Sequence, residues 1–126
     1  MRIYFGHSKS FDYINEYYKP IEKNIILQKE TLIFPHKDNN YIKFERDFYT
    51  NLDLFIAEVS YHAIGLGIEL GWAYDDNIPI YCFYKTSTKP SQSLMSITDH
   101  IIEYNSIEDL SNKIEQIVIE EQNKLN

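Results

Sequence analysis

The chain has 126 residues, 44% of them hydrophobic, and a formal net charge of -7 at pH 7. This length predicts one domain, residues 1–126, around a single core. The acidic balance argues against nucleic acid and against an anionic membrane as partners, because both require a basic surface. A single cysteine, no signal-peptide pattern and no apolar run of the ~20 residues needed to span a bilayer predict a cytoplasmic protein.

Strand-like and helical patterns alternate from one end of the chain to the other. In chain order, runs rich in β-branched and aromatic residues predict strands at residues 2–5, 31–34, 54–59, 78–84 and 101–104. Between and after them, apolar periodicity predicts helices at residues 11–24, 41–51, 64–76 and 107–124. Such alternation implies right-handed crossovers. We therefore expect a three-layer α/β domain, Rossmann or flavodoxin-like, with about five mostly parallel strands and helices on both faces.

The third predicted strand leads into a glycine-containing segment, Gly65-Leu-Gly67-Ile-Glu69-Leu-Gly71, which opens a helix. Ligands of open α/β sheets bind beyond the carboxyl ends of the strands, and glycines let backbone amides approach them at a helix N-terminus. Glu69 is expected in the first turn of this helix, facing the cleft. A carboxylate repels phosphate but stabilises developing positive charge. The segment therefore predicts chemistry on a sugar.

Three segments of the chain resemble the nucleoside 2-deoxyribosyltransferase superfamily, and most closely its small 2'-deoxynucleoside 5'-phosphate N-hydrolases. The glycine segment is similar to the family's G-x-G-x-E-x-G turn, which implies that Glu69 is the nucleophile. The first strand is similar to the family's Y-F-x-G-S signature, which implies that Tyr4 lines the sugar pocket and Ser8 binds phosphate. Gly6 stands one place early in that signature, and His7 stands where the family has its glycine.

The third segment, Ser93-Leu94-Met95, lies at the family's spacing from the nucleophile. The resemblance implies that its Ser and Met reach the active site, the Ser from the partner subunit of a homodimer. Ala63 departs from the family, which has a phosphate-binding Ser there, and Ser60 or His62 is the expected substitute. The residues predicted to contact substrate are therefore Gly6, His7, Ser8, Ser60, His62, Ala63, Gly65, Gly67, Ser93 and Met95.

Cleavage of an N-glycosidic bond needs one carboxylate at the anomeric carbon and one acid for the departing base. Glu69, near a helix N-terminus, is expected to keep a low pKa and stay ionised, oriented by Tyr4. The family's second acid falls on Glu45 by spacing, whereas Asp47 is the nearest aspartate and is favoured by residue type. Burial beside Glu69 would raise the pKa of that acid.

The sequence thus favours cleavage or transfer at the N-glycosidic bond of a 2'-deoxynucleoside or its 5'-monophosphate. Two alternatives stay open: a nucleotide-binding sensor without turnover, and a glycohydrolase of a ribosyl cofactor such as NAD. No cofactor is expected, and the four histidines lack the spacing of a metal site. An apolar helix at residues 64–74 and exposed aromatics add to the resemblance in predicting a homodimer.

Overall fold

Five parallel strands form one sheet within residues 1–37 and 45–126, the part of the chain that this computed structural model describes. The order across the sheet is β2-β1-β3-β4-β5, and each neighbouring pair is parallel. This order is that of flavodoxin-like proteins, so the predicted fold class is confirmed. The strands are β1 Arg2–His7, β2 Thr31–Ile33, β3 Leu54–Glu58, β4 Ile80–Lys85 and β5 Ile101–Tyr104.

Helices cover both faces of the sheet. The first, α1, is Lys19–Lys23, and a π-helical turn at Ile14–Tyr18 leads into it without a break. The others are α2, Ile64–Asp75, and α3, Ile107–Leu125. Short 3-10 segments lie at Leu27–Lys29, Arg46–Asn51 and Gln92–Ser96. Among the described residues, none of these helices has the length and apolarity needed to span a membrane.

The sheet separates two apolar cores because successive side chains of a strand point to opposite faces. In β1, Ile3 and Phe5 pack on the side of α1 and α3, whereas Tyr4 packs on the side of α2 and the 3-10 segment Arg46–Asn51. All three side chains are at most 1% exposed. Burial of such a side chain contributes roughly 1.5–3 kcal/mol to the stability of the fold. Because both faces of the sheet carry such side chains, a layer of helices or loops must cover each face.

The structure differs from the predicted elements where proline or a helix end intervenes. The predicted helix 11–24 contains a π turn, because Pro20 has no N–H for the α-helical ladder. Residue 78 is not in β4: Ile78 donates its N–H to the Ala73 carbonyl at 3.0 Å, after Asn77 turns with a φ of 58°. Of the predicted helix 41–51, residues 41–44 lie outside the described part, and the rest is the 3-10 segment.

Two contacts place α2 beside β1. A Cβ on Gly6 would lie 2.8 Å from Leu66 Cδ1 and 2.8 Å from Phe55 Cε1, so any other residue here would force these side chains of α2 and β3 to shift. At the other end of α2, the Arg46 guanidinium donates to both carboxylate oxygens of Asp76, each at 2.7 Å, and to Asp75 at 2.9 Å. The first contact brings α2 onto β1, and the second ties the 3-10 segment Arg46–Asn51 to the helix.

Candidate active site

A cavity of about 320 Å³ lies at the carboxyl end of β1. The strand order reverses between β1 and β3, and ligands of open parallel sheets bind at such a switch point. We call this space the Glu69 cavity. Its lining residues are Tyr4, His7, Ser8, Lys9, Pro35, His36, Tyr49, Ala63, Gly65, Leu66 and Glu69.

The Glu69 carboxylate is held by two tyrosine hydroxyls. Its side chain is buried, and its Oε2 atom accepts hydrogen bonds from both Tyr4 and Tyr49. The two hydroxyl oxygens lie 3.3 Å apart. Within the described residues no donor contacts Oε1. One carboxylate oxygen is therefore fixed, and the other is left for a ligand.

Two expectations for Glu69 were wrong. Helix α2 begins at Ile64, which places Glu69 in the second turn and not in the first. Its pKa is raised and not low, because burial disfavours the charged carboxylate more than the hydrogen bonds from Tyr4 and Tyr49 favour it. Burial and the nearby carboxylate also raise the pKa of Tyr4. Both phenols consequently remain protonated donors at neutral pH, since burial raises the pKa of Tyr49 as well.

His7 is a fixed neutral side chain at the floor of the cavity. The His36 backbone N–H donates to the Tyr18 hydroxyl at 3.0 Å, so that hydroxyl is free to donate its own proton to His7 Nε2 at 2.6 Å. His7 Nδ1 then carries the proton and donates to the Ser8 carbonyl at 2.7 Å. Burial lowers the pKa of His7 to about 4. His7 thus orders the loop that carries Ser8.

Besides Glu69 and its two tyrosines, the cavity is lined by a hydroxyl and two nitrogen-bearing side chains. Ser8 is 2% exposed, and its Oγ accepts the Ser10 N–H at 3.0 Å, which leaves its own proton free to donate. Lys9 is exposed and His36 is half-buried. Burial, and then the charge of Lys9, lower the pKa of His36, so its imidazole is neutral at pH 7.

The predicted acids do not lie beside Glu69. Asp47 and Glu45 are both exposed, and neither lines the Glu69 cavity. The expected burial of the acid next to Glu69 is therefore not observed. Sequence reasoning instead missed Tyr49, Lys9 and His36, which do line the cavity. No motif or residue spacing in the sequence pointed to Tyr49, because it lies in a 3-10 segment within the range where a helix was predicted.

A second cavity of about 490 Å³ adjoins the first, and Ala63 and Leu66 line both. The predicted residues His62, Gly67 and Ser93 line only this second cavity. Met95 is 65% exposed and lines neither. Ser60 also lies outside both cavities, because its Oγ donates to Glu58 at 2.8 Å and accepts the Lys85 N–H at 2.8 Å. Residues 1–37 and 45–126 contain no cluster of three or more His, Cys, Asp or Glu suited to a metal ion.

The fold and its buried carboxylate define an α/β protein with a carboxylate-lined cavity at the β1–β3 switch point. No protein-family model and no curated protein sequence matches the chain. Solved structures do: a conserved protein from Enterococcus faecalis V583 is 18% identical, with a TM-score of 0.61, over 93% of this chain and 98% of that one. The CMP N-glycosidase BcmB from Clostridium botulinum is 17% identical, with a TM-score of 0.60, over 90% of this chain and 98% of that one. At such identities the likeness shows the shared fold.

Proposed function

We propose that this protein cleaves the N-glycosidic bond of a nucleoside 5'-monophosphate, with Glu69 as the nucleophile. The observation that carries the proposal is a buried carboxylate that lines a cavity and has one oxygen held by two phenols. The likeness in fold to a CMP N-glycosidase supports the same class of reaction. The resemblance of the Gly65-to-Gly71 segment to the nucleoside 2-deoxyribosyltransferase superfamily supports the role of Glu69.

The chemistry follows from the position of Glu69. As the bond between C1' and the base nitrogen breaks, its electron pair leaves with the base, and positive charge develops on the sugar. A Glu69 oxygen bonds to C1' and forms a glycosyl ester, while an acid protonates the base. Water then hydrolyses the ester, or a second free base replaces it, which restores the carboxylate. Hydrolysis and base exchange thus share the first half of the reaction.

The choice of a monophosphate over a nucleoside rests on three side chains that line the cavity besides Glu69 and its two tyrosines. Ser8 offers a hydroxyl donor, Lys9 offers positive charge that a phosphate dianion would compensate, and the neutral His36 offers an imidazole N–H. Ala63 brings no hydroxyl, so the phosphate contacts proposed here come from the loop after β1 and from the segment after β2. For the acid that protonates the base, we retain Asp47, with Glu45 as the alternative.

We also propose a homodimer in which Ser93 and Met95 of one subunit complete the site of the other. Four exposed apolar side chains on α2 and near Ser93 support a contact with a second copy of the chain: Ile64, Ile68, Tyr74 and Met95 are 86%, 41%, 55% and 65% exposed. Ser93 lines the cavity that adjoins the Glu69 cavity. A cytoplasmic location is part of the proposal, because the single thiol, Cys82, is free and buried.

One observation favours a second candidate, a nucleotide sensor without turnover. Among the described residues, neither Asp47 nor Glu45 lines the Glu69 cavity, so no second carboxyl group besides Glu69 is placed there to protonate a base. Such a protein would bind the monophosphate and release nothing. Calorimetric binding without base release over a long incubation would identify it.

The deciding experiment incubates the protein with ribo- and deoxyribonucleosides and with their 5'-monophosphates, alone and with a second free base, and separates the products by chromatography. We expect base release from at least one monophosphate and at least 100-fold less from the matching nucleoside. Glu69→Gln should lower release by roughly 1,000-fold or more, because the amide cannot form the ester. Full activity of Glu69→Gln would contradict the proposal, and exchange of bases would identify a transferase.

A further inference from the structure

Tyr49 is the one contact of Glu69 that no sequence motif indicated. It extends from the 3-10 segment Arg46–Asn51, is 1% exposed, and donates its hydroxyl proton to Glu69 Oε2. Its ring packs at centroid distances of 5.1 Å from Tyr4, 5.2 Å from Phe48 and 5.4 Å from Trp72. Three aromatic neighbours thus fix the direction of this hydroxyl.

Two donors on one oxygen make the carboxylate asymmetric. Tyr4 in β1 and Tyr49 in the 3-10 segment Arg46–Asn51 both donate to Oε2. Neither hydroxyl therefore occupies Oε1. The terminal torsion of a glutamate is otherwise broad and nearly two-fold, so a free carboxylate would present either oxygen. With both phenols in place, the plane of the carboxylate is fixed: one oxygen, Oε2 here, accepts both hydrogen bonds, and the other has no phenol donor.

We infer that Tyr49 is a positioning residue for the reaction, and that together with Tyr4 it selects Oε1 of Glu69 as the atom that attacks the sugar. This inference rests on the proposed function. In the step concerned, the Oε1–C1' bond forms, the C1'–base bond breaks, and its electron pair leaves with the base. Oε2 keeps both hydrogen bonds throughout, so the phenols transfer no proton.

Tyr49 also favours the ionised carboxylate, because its hydroxyl stabilises the charged form against the cost of burial. A hydrogen bond to a charged group contributes about 1.5–3 kcal/mol, which corresponds to a shift of about one to two pKa units. Without the hydroxyl the carboxylate is less ionised at a given pH and less well positioned, and we expect these two losses together to lower kcat roughly 10- to 100-fold. The titratable groups that face Glu69 or share its cavity are Tyr4, Tyr49, Tyr18, His7, His36 and Lys9.

The test is Tyr49→Phe, which keeps the ring and removes only the hydroxyl. We expect kcat to fall roughly 10- to 100-fold with KM changed less than about threefold, and the acidic limb of the kcat/KM profile to move up by about one to two pH units. Carboxyl ¹³C NMR of the glutamates, with Glu69 assigned through Glu69→Gln, should show the same rise in the pKa of Glu69. This spectrum needs no turnover, so it shows whether Tyr49 holds the Glu69 carboxylate independently of whether base release is found.

The matched control is Tyr81→Phe, because the Tyr81 hydroxyl also donates to a carboxylate, that of Glu121, on the other face of the sheet. It should leave kcat, the pH profile and the Glu69 resonance unchanged. If Tyr49→Phe does not fold, 3-fluorotyrosine at position 49 replaces it: the stronger donor should lower the pKa of Glu69. A Glu69 pKa that is the same in the wild type and in the position-49 variant overturns the inference.

Discussion

The Glu69 carboxylate is 8% exposed, and its hydrogen-bond donors in the described part of the chain are two neutral phenols. Its pKa in the folded protein is raised above the ordinary value of 4.5. At a pH between the pKa of Glu69 in the unfolded chain and its higher pKa in the folded protein, the folded state binds more protons than the unfolded state. The free energy of unfolding therefore falls as the pH rises through this range. The ionised nucleophile is therefore expected to lower the free energy of unfolding at neutral pH.

Replacement of this side chain should consequently stabilise the protein while abolishing base release. We expect Glu69→Gln to raise Tm by about 2–6 °C at pH 7.5 and to give a smaller gain at pH 4.5, because the raised pKa leaves more of the wild-type carboxyl protonated there. Thermal unfolding at both pH values measures this difference. Equal Tm changes at both pH values would contradict it.

Glu58 provides the contrast within the same chain. Burial also raises its pKa, but its Oε1 accepts the Ser60 N–H at 2.7 Å, and its Oε2 accepts the hydroxyls of Ser60 and Tyr104. An amide offers one acceptor oxygen and not two. Glu58→Gln should therefore lower Tm at both pH values, which separates a structural carboxylate from one kept for chemistry.

At the scale of elements, the 3-10 segment Arg46–Asn51 holds Tyr49 in place through Arg46. Only a guanidinium can donate in parallel to both oxygens of Asp76, whereas the lysine ammonium is a point charge. Arg46→Lys should keep the charge, loosen the segment and lower kcat by roughly 10- to 100-fold, as expected for a displacement near 1 Å. Amide exchange at residues 46–51 should quicken while exchange in β1 and β3 stays unchanged. Unchanged exchange in the segment would contradict this role.

How far the sequence predicted the elements depended on how regular they are. The strands and helices α2 and α3 were predicted within a few residues, because buried parallel strands and long helices have strong periodicity. The 3-10 segment has no comparable signal, so Tyr49 was missed, and the acid was sought on a predicted helix whose described part is the 3-10 segment Arg46–Asn51. Glu69 and Tyr4 were recognised from local motifs, whereas Lys9 and His36 are brought together only by the folded loops.

At the scale of the whole molecule, two of the exposed apolar side chains, Ile64 and Met95, belong to elements that line the cavity that adjoins the Glu69 cavity. Ile64 follows directly on Ala63, which lines both cavities, and Met95 lies two residues after Ser93. A second copy packed on this surface would bury these side chains and exclude water from the Glu69 cavity. The proposed dimer and the proposed chemistry are therefore coupled, and both can be tested in one mixture of variants.

If Ser93 acts across a dimer interface, Glu69→Gln and Ser93→Ala subunits should complement each other. In a mixed dimer, one site combines an intact Glu69 with the partner's intact Ser93, whereas the other site lacks both. Random exchange makes half of the dimers mixed, so base release should recover to about a quarter of the wild-type rate. Ile64→Lys in both chains should give monomers in sedimentation velocity and prevent this recovery. Base release by the mixture that is no greater than the sum of the two separate variants would show that Ser93 does not act in trans. Only a site built from both subunits can restore an intact Glu69 together with an intact Ser93.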